Sequence, residues 1–107
     1  MATIQEFNQI QLKVAKILEA QPHPDADRLL VLKVDVGGVT KEIVAGIARH
    51  YSCQELVGKL IVVVDNLEPA VIRGVASNGM LLAAQDTSGG LSLLIPERSV
   101  ACGSSVH

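Results

Sequence analysis

The clearest pattern in the chain lies between Arg28 and Val36. Leu30, Leu32, Val34 and Val36 fall on one face there, and Leu29, Val31, Lys33 and Asp35 on the other. Alternation with period two marks a strand with one face in the core, so the all-aliphatic face points inward and Lys33 outward. Gly37-Gly38 follows as a hairpin signal, and Lys41 to Ile47 reads as the returning strand. Upstream, Leu12 to Ala20 alternates imperfectly and is expected to be a strand that stops at the stiff polar segment Gln21-Pro22-His23-Pro24-Asp25. Downstream, Leu60 to Val64 and Met80 to Ala84 read as buried strands, and Leu91 to Ile95 as a further piece ended by Pro96.

Two helix starts interrupt this pattern. Thr3-Ile4-Gln5-Glu6 is a capping box followed by Phe7 and Ile10, which predicts a short helix at the start. Ser52-Cys53-Gln54-Glu55 is a second capping box, with Tyr51 and Leu56 at the positions of a hydrophobic staple. Gly58 can end that helix in a left-handed conformation, giving about two turns from Ser52 to Val57. The order is three strands, a short helix, then two or more strands. It predicts an all-β fold, a closed five-stranded Greek-key barrel of the OB type with the helix between strands three and four. No repeat, linker or low-complexity stretch divides residues 1–107, so a single domain is expected.

Composition narrows the function. Apolar residues make up 49 % of the chain, which excludes a disordered protein. Phe7 and Tyr51 are the only aromatic residues, so the core is built from Val, Leu and Ile. The same shortage argues against a single-strand nucleic-acid binder, which stacks bases on aromatic rings. The net charge is -2, so any affinity for nucleic acid has to come from a local patch. The N-terminus lacks the basic and apolar regions of a signal peptide, and no apolar run is long enough for a membrane span. With sparse cysteines, Cys53 and Cys102 are expected as thiols in a reducing cytoplasm. His50-x-x-Cys53 has a metal-site spacing, but a closed zinc site needs four ligands, and neither metal nor cofactor is expected. No phosphate loop, nucleophile elbow or dinucleotide fingerprint is present, and Asp25 and Asp27 are expected to pair with Arg28 rather than to catalyse.

Several blocks then become specific together. Asp25-Ala26-Asp27-Arg28-Leu29 leads into Leu32-Lys33-Val34-Asp35-Val36-Gly37, followed by Ile43-Val44-Ala45-Gly46-Ile47, Leu56-Val57-Gly58-Lys59 and Val63-Val64-Asp65-Asn66-Leu67. The last is Arg73-Gly74-Val75-Ala76-Ser77-Asn78-Gly79-Met80-Leu81-Leu82-Ala83-Ala84. In this order and spacing they resemble the tRNA-binding domain found at the C-terminus of many bacterial methionyl-tRNA synthetases and as a free-standing protein. The resemblance implies an OB-fold, a homodimer in the bacterial forms, and recognition of tRNA by shape with little regard to sequence. A sister branch resembles a dimeric secretion chaperone that binds unfolded polypeptide, and the Gly79-Met80-Leu81-Leu82 block favours the tRNA branch. One departure is that Glu68, Ala70, Val71 and Ile72 stand where tRNA-binding members often carry basic residues, leaving only Arg73, which limits the phosphates neutralised there.

The candidate contacts follow from chemistry and resemblance together. Lys33 and Arg73 are expected to hold phosphate. Ser77 and Asn78 are expected to bond ribose or backbone, and Met80 to supply apolar contact. Arg28, Lys41 and Arg49 are weaker candidates, because a solvated charge is the default for each. Arg73 has an alternative as the partner of Glu68 in a rim ion pair. The partners implied are tRNA and a second copy of the chain. The catalytic domain of methionyl-tRNA synthetase is a third if the domain is an appendage. The segments Thr3 to Ile10 and Leu91 to Val106 supply more apolar residues than a small barrel can hide, which also points to a dimer. A dimeric chaperone-like module that binds protein is the alternative function.

Overall fold

The computed structural model describes residues 1–107. Its elements are α1 (Ile4–Asn8), β1 (Leu12–His23), β2 (Ala26–Asp35), β3 (Thr40–Ala45), α2 (Cys53–Leu56), β4 (Leu60–Val64), β5 (Ala70–Ile72), β6 (Val75–Ser77), β7 (Met80–Leu81), β8 (Ala83–Gln85), β9 (Leu91–Leu93) and β10 (Ser105–Val106). Both capping boxes form. Thr3 accepts from the Glu6 N–H while the Glu6 carboxylate accepts from the Thr3 N–H, and Ser52 and Glu55 repeat the exchange. Hydrogen bonds from Thr3 and Ser52 hold the Glu6 and Glu55 carboxyls below their ordinary range.

The second helix makes one turn, not the expected two. Val57 is already extended, and Gly58 takes φ +91°. Sheet pairing ends the helix early, because the Gly58 N–H donates to Ile17 O and the Ile17 N–H to Lys59 O. Leu56, wholly buried, plugs that end of the core.

The main sheet runs β3-β2-β1-β4-β7, every pair antiparallel, with β10 added beside the start of β1. The alternation of β2 is realised: Leu30, Leu32, Val34 and Val36 lie in one buried cluster with Ala15, Ile17, Ile43, Ala45, Ile61, Val63, Leu81 and Leu93. β1 is longer than its sequence predicts, continuing to His23 with Pro22 opposite Leu30. Proline is tolerated because this end of β1 pairs with β2 alone, so the missing N–H falls on the unpaired side.

Met80 to Ala84 is not one buried strand. The Leu82 N–H donates to Val62 O, while Leu82 O accepts from the Leu94 N–H, so the chain changes sheets at that residue. Ala83 and Ala84 then sit exposed in a small hairpin with Leu93 and Ser92.

The expected closure of the barrel is also incomplete. No ladder joins the ends of the path, β3 and β7. Two hydrogen bonds bridge β3 to the segment before β7: Asn78 N–H to Glu42 O at 2.8 Å, and Val44 N–H to the Ser77 hydroxyl at 3.0 Å. Gly79 is required here, at φ +132° with space for a side chain blocked by Val64 O.

Candidate nucleic-acid interface

On the outward face of β2, Lys33 stands between carboxylates. The register places Glu19 of β1 and Glu42 of β3 on either side of it, and its Nζ lies 3.0 Å from Glu19 Oε2. Its charge is therefore shared within the sheet. The Glu42 neighbour was readable by counting outward from Gly37-Gly38. Glu19 was not, because the β1–β2 register shifts between Ile17 and Glu19.

Lys41 proves to be a strut. Its Nζ reaches Asp65 Oδ1 at 2.7 Å and Asp65 O at 2.9 Å, while Lys13 reaches Asp65 Oδ2 at 3.3 Å. Burial pushes the Asp65 carboxyl up, but hydrogen bonds from Lys41 and Lys13 outweigh it and hold the group below its ordinary value. These ion pairs tie β3 to the end of β4 across the open seam, so the Lys41 ammonium is occupied inside the fold.

Ser77 is turned into the fold. It is 2 % exposed, its hydroxyl accepts from the Val44 N–H, and it donates to Gly79 O at 2.9 Å. The hydroxyl stands in for a main-chain group where the ladder is missing. Asn78 and Met80, one residue to either side of Gly79, are half-buried and remain accessible in part. Met80 packs on the core and presents the rest of its side chain outward.

The arginines behave differently. Arg28, Arg49 and Arg73, with Asp25, Ala26, Asp27 and Leu29, line one open depression of about 460 Å³. Three separate segments build it. The Ala48 N–H donates to Arg28 O at 3.2 Å, which sets the turn carrying Arg49 against the start of β2. Arg73 Nη2 donates to Asp25 O at 3.0 Å. His23, 5 % exposed, accepts from the Asp25 N–H at Nδ1, 2.9 Å away, and its Nε2 lies 3.1 Å from Ile72 O. With Nδ1 accepting, the neutral ring carries its proton on Nε2 and donates to that carbonyl. His23 thus staples the β1–β2 corner to the β5–β6 turn. In the sequence His23 reads only as part of a stiff polar segment, and its place between Pro22 and Pro24 is the one signal of this role.

The expected ion pair of Arg28 and the alternative one of Arg73 are both absent. No carboxylate of Asp25 or Asp27 pairs with Arg28, and Arg73 turns to Asp25 O rather than to Glu68. The reason for Arg73 is local. It and Gly74 form the two-residue turn of the β5–β6 hairpin at φ +52° and +89°, which aims the Arg73 side chain at the β1–β2 corner. A left-handed conformation crowds the Cβ of any residue other than glycine and costs Arg73 about 1 kcal/mol.

Comparison with known proteins adds the lineage of this arrangement. The family model described as "Putative tRNA binding domain" matches residues 12–105. The methionine–tRNA ligase of Pyrococcus furiosus is 46 % identical over 105 residues, covering 98 % of this chain; the chain spans 14 % of that ligase's length. Among solved structures, a MetRS related protein from Pyrococcus horikoshii superposes with a TM-score of 0.94 at 34 % identity, covering 100 % of this chain and 98 % of that one. The chaperone CsaA from Bacillus anthracis superposes with a TM-score of 0.90 at 26 % identity, covering 100 % and 99 %.

Proposed function

This chain belongs to the tRNA-binding domain family, and from that premise we propose that it is a non-catalytic hold for tRNA that reads shape and backbone. The observation that carries this is the family match across residues 12–105. The surface fits a reader of folded RNA, since it offers cations and half-buried polar and apolar side chains but no aromatic platform. Lys33 and Arg73 hold phosphate, Asn78 bonds ribose or backbone, and Met80 supplies an apolar contact. Ser77 acts from inside by fixing the turn that presents Asn78 and Met80. No helix of the structure is long and apolar enough to cross a membrane.

The working unit in this proposal is a homodimer. Ile4 and Ile10 of the N-terminal segment are 65 % and 48 % exposed, and Ile10 and Phe7 line a depression shared with Val106. Such a patch is larger than single surface hydrophobes would make, and a second copy would cover it while doubling the RNA-binding faces. Either the free chain or an appendage of a synthetase would use the same surface.

A second reading, a chaperone-like module that binds unfolded protein, is supported by the likeness to CsaA over the whole chain. Titration with bulk tRNA and with an unfolded protein, at low and moderate salt, separates the two. Saturable, salt-sensitive binding of tRNA is expected. Binding of the unfolded protein alone would replace this reading with the second.

A further inference from the structure

The cations of this protein fall into two groups. Lys13, Lys33, Lys41 and Arg98 each have a carboxylate within ion-pair distance. Lys16, Lys59, Arg28, Arg49 and Arg73 have none, and of these five the three arginines line the same depression. Three guanidinium groups outnumber the two carboxylates, Asp25 and Asp27, that share the depression, and neither carboxylate closes an ion pair with them. The fold nevertheless holds their segments together through the Ala48–Arg28, Arg73–Asp25 and His23 hydrogen bonds. The free N–H groups of a planar guanidinium suit two oxygens of one anion.

We propose that this depression is a prebuilt seat for the phosphodiester backbone of RNA, and that it is the main phosphate contact of the molecule, ahead of Lys33. The inference rests on the tRNA-binding reading. It also places a track on the surface. Leu29, in the wall of the depression, shares the outward face of β2 with Lys33 four residues on, about 13 Å along the strand. Backbone seated among the arginines runs on toward Lys33. Asp25 and Asp27 line the same depression, so the seat is not a bare cation cluster. Their carboxylates oppose an incoming phosphate and keep the site from gripping anions indiscriminately.

The test uses the full chain and bulk tRNA, titrated between about 50 and 200 mM salt. Arg49→Gln is the decisive variant, since Arg49 is exposed and its side chain braces nothing in the fold. Arg73→Asn removes the charge while placing in the left-handed turn a residue that tolerates it. Each is expected to weaken binding by about five- to eightfold near 0.1 M salt and to flatten the log–log salt slope by about 0.7–0.9. Asp27→Asn is expected to tighten binding, a gain that a purely structural role for the corner would not produce. If the parent binds tRNA with a steep salt slope and the arginine variants match it, the seat is wrong and the tRNA reading stands. If the parent fails to bind tRNA at low salt, the tRNA reading fails and takes the seat with it.

Discussion

Two regions of this molecule carry positive charge, and they carry it in opposite ways. On the sheet face and along the seam, Lys33, Lys41 and Lys13 are each held by Glu19 or Asp65. At the β1–β2 corner, Arg28, Arg49 and Arg73 surround a depression without an ion pair among them. These three lysines are tied to carboxylates of the fold, and these three arginines keep N–H groups free for a ligand. Counting basic residues in the sequence does not separate the two. What separates them is the register that sets Glu19 and Glu42 beside Lys33, the position of Asp65 at the end of β4 within reach of Lys13 and Lys41, and the tight turns that carry Arg49 and Arg73 away from any carboxylate.

The comparison breaks most sharply if all three arginines are removed. The combined Arg28→Gln, Arg49→Gln, Arg73→Asn protein is expected to lose about two orders of magnitude in tRNA affinity near 0.1 M salt, measured by fluorescence anisotropy. Its unfolding midpoint is expected to fall only slightly, because the exposed Arg73–Asp25 hydrogen bond is the one bracing contact removed. A parallel loss of fold would erase the distinction between binding arginines and structural lysines.

The next effect lies on the structural side. Ser77→Ala leaves the Val44 N–H and Gly79 O without their buried partner and is expected to cost about 1–3 kcal/mol in urea unfolding. Binding by the folded fraction should weaken modestly as the turn carrying Asn78 and Met80 loosens, with the salt slope unchanged because no charge is lost. Asp65→Asn is expected to cost about 1–2 kcal/mol near neutral pH, less than a fully buried pair because Lys41 and Lys13 keep partial exposure. Its sign with pH is fixed by a folded pKa below the ordinary 3.8. The ion pairs stabilise the fold above that ordinary value, and the contribution fades as pH falls through the folded value. Parent and Asp65→Asn should therefore converge in stability in acid and differ most near neutrality.

Smaller still is Lys33→Ala. With Glu19 already 3.0 Å away, removing the lysine is expected to weaken every tRNA alike by about two- to threefold, less than a single arginine. Glu19→Gln should free Lys33 and move affinity the other way.

The barrel was legible in the sequence wherever the physics is local. The alternation of Leu30 to Val36 fixed the core face of β2, and two capping boxes located both helix starts. What sequence could not supply came from pairing between distant segments. α2 stops after one turn because Gly58 pairs with Ile17, and β1 runs through Pro22 because that end lacks a second neighbour. The site divides in the same way. Lys33 faces outward as its parity requires. The resemblance of its block to a family motif points Ser77 at ribose or backbone, yet its hydroxyl closes a seam against Val44. The convergence of Arg28, Arg49 and Arg73 joins residues far apart in the chain, and no spacing rule announces it.

The most direct test of the division between occupied and available cations is the salt dependence of tRNA binding for the parent, Arg49→Gln and Lys33→Ala, measured side by side. The expected result is a slope flattened by about 0.7–0.9 in Arg49→Gln and by distinctly less in Lys33→Ala. Equal or greater flattening in Lys33→Ala would contradict it.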